Sequence, residues 1–172
     1  MTSSADTKGV KYRSYNAATA TFAKELGMTP VQIEAAELSQ ALATGVAESF
    51  ISSGSTGYDR KVWEHLSHYY KVNAWLPRNY VIVNKGVWNN LDDGTRSAVQ
   101  KAADETGAAC AAKSAQLANW YFEQLESNGM KVEDASPAFL KELQAIGAKM
   151  QSDWLAAVGS DGQAIIDAYK AM

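Results

Sequence analysis

The chemistry-bearing residues of this chain are few, and the most informative is an arginine at the end of a strand-like run. Val10 and Tyr12 alternate with Lys11 and Arg13, then Ser14, Tyr15 and Asn16 break the pattern and a helix begins. In open α/β sheets ligands bind just beyond the carboxyl ends of strands, and a guanidinium offers a planar fork of donors suited to a carboxylate or phosphate. On residue type and position alone, Arg13 is either a ligand arginine or a surface or structural ion-pair arginine. A small anion site could be completed by Asn16, by the hydroxyl-rich run Ser52, Ser53, Gly54, Ser55, Thr56 and Gly57, and by the aromatics Tyr15, Phe50, Tyr58 and Trp75. That run reads as a loop whose backbone could approach a ligand closely, or as a flexible connector. It lacks the spacing of a phosphate-binding loop.

Other chemistries are weakly supported. His65 and His68, beside Glu64, would present two imidazoles on one face of a helix reaching from about Tyr58 to Leu66 if that helix continued. A metal-dependent enzyme using that pair is one reading and a hydrogen-bonded surface pair the blander one, since no third ligand is placed. Glu34, Glu37 and Glu48 fall near helix starts and strand ends, where solvated or capping roles are common. Cys110 is the only cysteine, which excludes an internal disulfide, and its alanine-rich surroundings suit a small packed side chain. No nucleophile with its base, no metal cluster and no cofactor motif is signalled, so a binding protein rather than an enzyme is expected.

The remaining composition narrows the partners. With 172 residues, 47% of them hydrophobic, and a net charge of −3, the chain is a globular protein without the Lys/Arg clusters that nucleic acid requires. No apolar run approaches the roughly eighteen residues of a membrane span, and the polar stretch 1–7 lacks the apolar segment of a signal peptide.

The elements that must position Arg13 follow the order strand, helix, strand, helix, strand. A helix capped by Asn16 should stop at Gly27, a strand should occupy Val31 to Ile33, a second helix should run from about Ala35 to Thr44, and a strand should cover Val46 to Ile51. This is the pattern of a parallel or mixed α/β sheet. Tyr80 to Val83, after Pro77, is an unbroken run of β-formers and reads as a strand covered on both faces. A turn of helix from Gly86 to Leu91 then leads to a long helix from about Thr95 to Ser127, with a narrow stripe from Val99 to Leu125 and a plausible bend at Gly107. Met130 to Glu133 reads as a strand, Pro137 opens a helix ending near Gly159, and a last helix starts at about Asp161.

The run Gly9-Val10-Lys11-Tyr12-Arg13, then Asn16-Ala17-Ala18, Leu26-Gly27-Met28-Thr29-Pro30, Glu37 and Gln40 to Val46, resembles the central region of solute-binding proteins of tripartite ATP-independent periplasmic (TRAP) transporters, the DctP type. The resemblance continues through Trp63-Glu64, Tyr80 to Asn84 and Trp88 to Leu91. It implies a periplasmic-binding-protein-like second lobe with a small mixed sheet, one long connecting helix and C-terminal helices, the first lobe being absent. It also implies a periplasmic receptor that binds a small organic acid and works with TRAP membrane permease subunits, with Arg13 on the substrate carboxylate and Asn16 and the loop after the third strand lining the cleft. The implied division is a polar leader 1–7, a substrate-binding lobe 8–74, a crossover strand and long helix 75–128 that pack on the missing lobe, and a C-terminal part 129–172 that packs back. Glu48-Ser49-Phe50-Ile51-Ser52 stands where many relatives have Asp-Gly-Gln-Glu-Asn, and Ala35 replaces a common aromatic, which leaves the ligand open. Without its expected neighbours the Tyr80 to Val83 strand should seek pairing, so a homodimer through that strand and the long helix is expected, with a purely structural, oligomer-forming fragment as the alternative to a receptor.

Overall fold

The computed structural model describes residues 1, 3–76 and 79–172. Its centre is a three-stranded parallel sheet, in the order β2-β1-β3, formed by β1 (Lys11–Ser14), β2 (Thr29–Gln32) and β3 (Ser49–Phe50). Arg13 lies opposite Val31 on one side and Phe50 on the other. Helix α1 (Ala17–Glu25) crosses from β1 to β2, and α2 (Leu38–Ala43), entered through a 3-10 turn at Ala35–Glu37, crosses from β2 to β3. Gly27 ends α1 as expected: its φ of +70° belongs to the left-handed region that glycine enters without a steric penalty.

Alternation along the strands sends side chains to two cores. Tyr12 joins Phe22, Ala23, Leu26 and Met28 of the α1 side, against Ala135, Phe139 and Leu143. Val31 and Phe50 pack on the opposite cluster of Ile33, Leu38, Ala41, Leu42, Ala47, Val62, Leu125 and Met130. The C-terminal helices are α6 (Pro137–Val158), which covers the first cluster, and α7 (Ser160–Lys170). Thr7 is fully buried and donates its hydroxyl to Leu26 O at 2.7 Å, tying the 3-10 turn Ser4–Thr7 to the end of α1. Thr2, in the stretch read as a polar leader, lies outside the described residues.

Several expectations are corrected. The helix expected from Tyr58 to Leu66 is instead α3 (Gly54–Asp59), a left-handed residue at Lys61 and a 3-10 turn at Val62–Glu64. His68 to Lys71, into which that helix would have had to continue, is a strand, β4, paired in parallel with β5 (Lys131–Asp134). The pairing partner lies some sixty positions downstream, His68 opposite Lys131, so no local pattern announces it. The third strand of the sheet is only Ser49–Phe50 rather than Val46 to Ile51. All the pairs among the described residues are parallel, within the parallel or mixed sheet foreseen.

The largest correction concerns Tyr80 to Val83. These residues form no strand, and their side chains are 79%, 103%, 89% and 55% exposed. A strand satisfies its backbone only through a neighbour, and none of the described residues supplies one here. Pro77, read as preceding that strand, lies outside the described residues. After α4 (Lys85–Asn89) comes α5 (Asp93–Ser127), 35 residues long and uninterrupted at Gly107. Of the stripe expected on α5, Val99, Ala103, Thr106 and Cys110 are exposed, and cover begins only at Leu117.

Candidate functional site

Because the three strands of the central sheet run parallel, their carboxyl ends open on one side, and Arg13, Ile33 and Phe50 mark that edge. Arg13 is only 5% exposed. Its Nε donates to the Ile33 carbonyl at 2.8 Å, and its guanidinium lies over the Tyr15 ring, 5.0 Å from the centroid. Both contacts fix the plane of the fork and leave its outer edge alone: the two Nη groups make no hydrogen bond or ion pair among the described residues. Burial lowers the pKa of Arg13, while the charges of Tyr15, Glu34 and Tyr12 push it back up. The group keeps its charge at neutral pH. A buried cation with unclaimed donors is the condition under which a bidentate carboxylate contact is strong.

The other residues picked from the sequence fare unequally. Tyr15 is brought to Arg13 as its ring platform. Phe50 is placed opposite Arg13 on β3, half-buried against the second core cluster. Asn16 is the N-cap of α1: its Oδ1 accepts from Thr19 N at 2.8 Å and Thr19 Oγ1 at 3.1 Å, so half of its amide is committed to the helix. Ser52 is exposed between β3 and α3. Ser53 caps α3, with its Oγ 2.7 Å from Ser55 Oγ and 3.3 Å from Thr56 N. The hydroxyls of Ser53, Ser55 and Thr56 are thus engaged with one another and with a helix start. Its glycines serve packing rather than a ligand: a Cβ on Gly54 would sit 3.1 Å from Tyr121 Cβ, which is why α3 can lie directly on α5. Trp75, half-buried beyond β4, has no ring contact or side-chain hydrogen bond among the described residues. Tyr58 packs instead on Trp63, Trp120 and Tyr121.

The histidine pair does not form. His65 closes the 3-10 turn while His68 opens β4, where it accepts or donates at 2.8 Å to Ser67 Oγ and stacks on Tyr70. Among the described residues no group of three or more His, Cys, Asp or Glu side chains could hold a metal ion. Glu34, read from the sequence only as a solvated or capping carboxylate, makes no capping hydrogen bond and acts on Arg13 through its charge from the residue after Ile33. The signal available for it was its position two residues beyond β2, on the same edge as Arg13.

The family model for bacterial extracellular solute-binding proteins, family 7 (DctP), matches residues 1–158. The chain belongs to this family. Among solved DctP-type structures it is 84% identical, with a TM-score of 0.96, to a TRAP solute-binding protein from a marine metagenome, an unidentified microbe, specific for pyroglutamate and solved with co-purified pyroglutamate. All of this chain is covered, against 57% of that one. DctP6 of Bordetella pertussis, an extracytoplasmic solute receptor binding pyroglutamic acid, is 41% identical at a TM-score of 0.97, with 100% of this chain and 57% of that chain covered. DctP7 of the same organism, also binding pyroglutamic acid, is 36% identical at 0.96, with 99% and 56% covered. The chain therefore spans little more than half the length of these relatives. Comparison with curated protein sequences gave no significant match. The DctP family and these neighbours are receptors for solutes rather than enzymes, and the α/β lobe foreseen from the sequence is the one observed. No helix among the described residues is long and apolar enough to cross a membrane.

Proposed function

We propose that this chain is the ligand-binding lobe of a TRAP receptor for pyroglutamate or a closely similar cyclic organic acid, with Arg13 pairing the substrate carboxylate. The observation that carries this reading is the buried Arg13 side chain, anchored by Nε on Ile33 O and seated on Tyr15 while its Nη groups stay unclaimed. Three relatives of 36–84% identity that bind pyroglutamate support the choice of acid. The uncommitted amide nitrogen of Asn16, together with Ser52 and Phe50 on the same sheet edge, is the proposed remainder of the ligand contact. Ser53 and Ser55 contribute through the fold of that edge, and Trp75 from beyond β4.

The receptor reading places the protein in the periplasm, delivering its acid to TRAP membrane permease subunits. In it, residues 8–74 form the substrate-binding lobe, 75–128 face a first lobe, and 129–172 pack back. Closure of two lobes expels water from the ion pair and strengthens it, so this chain on its own should bind its acid weakly. The exposed run of Leu76 and Tyr80 to Val83 supports a covering partner. In the receptor that partner is the first lobe, and for the chain alone it is a second copy; a monodisperse monomer in light scattering at high concentration would overturn the dimer.

The test is an NMR titration of the isotopically labelled chain with pyroglutamate into the millimolar range. Saturable shifts at Tyr15, Ile33 and Phe50 are expected, with affinity falling at least about thirtyfold in Arg13→Ala, the cost of removing one partner of a desolvated charge pair. An unchanged affinity in that variant would exclude the arginine–carboxylate pair.

A further inference from the structure

Glu34 follows directly on Ile33, whose carbonyl holds Arg13 Nε, and so stands at the carboxyl end of β2 beside the guanidinium. Its backbone is extended, with φ −71° and ψ 156°, and it precedes the 3-10 turn at Ala35–Glu37 without capping it. The side chain is exposed and makes no hydrogen bond or ion pair among the described residues. It has not closed onto Arg13 as a salt bridge, although its charge is felt there. One sheet edge thus presents two unclaimed groups of opposite sign: a fork of donors at Arg13 and an acceptor-only carboxylate at Glu34.

This pairing discriminates among acids. An isolated arginine would accept any small carboxylate, but a neighbouring carboxylate repels a second anionic group and any oxygen acceptor placed against it. It rewards a ligand that carries an N–H donor next to its carboxylate, because a hydrogen bond to a charged acceptor is among the stronger ones. In a lactam such as pyroglutamate the N–H sits on the carbon that bears the carboxylate, so one small ring spans both groups.

Resting on the reading of Arg13 as the carboxylate arginine, we infer that Glu34 is a specificity-determining residue that accepts the α-nitrogen N–H of the bound acid and selects N–H acids over dicarboxylates and oxygen analogues. Asp and Glu side chains near a ligand arginine are more usually counter-ions, but a counter-ion would occupy the Nη fork, and Glu34 does not.

The experiment compares pyroglutamate with 5-oxotetrahydrofuran-2-carboxylate, the lactone in which a ring oxygen replaces the N–H, on the full 172-residue chain by NMR titration. The expected result is a preference for the lactam of at least about tenfold, as for sites built around a substrate N–H or O–H. Glu34→Ala should bring the two acids to within about threefold by weakening the lactam. Glu34→Gln should do so as well, since a rotated amide can donate to the lactone oxygen. Glu34 is exposed, so neither change disturbs the core. Arg13→Ala should weaken both acids alike. A lactam preference that survives both Glu34 variants, or none in the unaltered chain, overturns the role of Glu34 while leaving the arginine pair standing. Failure of both acids to bind, or binding of both that ignores Arg13→Ala, overturns the two readings together.

Discussion

Two stretches of this molecule use similar residues with opposite results. Around β1 the apolar side chains are covered from both sides, and Tyr12, Ala23, Leu38 and Leu125 lie within a few per cent of complete burial. From residue 79 to 116 every side chain is exposed or half-buried, including the β-formers Tyr80 to Val83 and the first two-thirds of α5. Within the second stretch the helix persists and the strand does not. An α-helix closes its hydrogen bonds on itself, whereas a strand must borrow them from a neighbour, so loss of tertiary cover removes one element and spares the other.

The sharpest way to break this contrast is to truncate one side chain from each stretch. Leu125→Ala removes a fully buried residue of the second cluster and is expected to lower unfolding free energy by about 3 kcal/mol in urea denaturation. Val81→Ala, at a fully exposed position, should stay within about 0.5 kcal/mol at concentrations where the chain is monomeric. Comparable losses at the two positions would mean that Tyr80 to Val83 is covered in solution.

A smaller effect separates structure from binding at Asn16. Removing the Oδ1 that caps α1 in Asn16→Ala should cost about 1 kcal/mol, read from the same denaturation curves. Because its amide nitrogen is proposed to reach the acid, the pyroglutamate affinity of the folded protein should fall as well, and an unchanged affinity would leave Asn16 a cap alone.

The smallest effect is expected at the other capped helix. Asp92 caps α5, accepting from Thr95 N at 2.9 Å and from the Thr95 hydroxyl, and these hydrogen bonds hold its pKa below the ordinary carboxylate value. A depressed folded pKa means that the stabilising contribution is present above the unfolded value and is lost as pH falls through the folded one. Amide exchange at Thr95 should therefore accelerate, relative to its intrinsic rate, on acidification below the usual carboxylate range. Amides of α1, capped by an uncharged Asn16 and packed on the core, should show no such step at that pH. A matching step in both helices would point to global acid unfolding instead.

Much of the fold was legible from local pattern. Asn16 and Gly27 bracket α1, Ser136-Pro137 opens α6, Gly159 closes it, and α5 was placed to within two residues, because caps and glycine turns act over three or four positions. Arg13 was also legible as a strand-end arginine. What could not be read was whatever depends on distant chain. β4 exists because Lys131–Asp134 lies alongside it, α3 starts at Gly54 because Tyr121 and Phe122 press on a residue without a side chain, and the histidine pair is divided for the same reasons.

The site divides along the same line. Residue type alone set the charge of Arg13 and its fit to a carboxylate. Only the packed sheet decided that it is buried, that Ile33 takes its Nε while the Nη fork stays open, and that Glu34 stands beside it. Charge belongs to a side chain, but burial, the direction of a hydrogen bond and the company of a second charge are set by strands that meet only once the chain has folded.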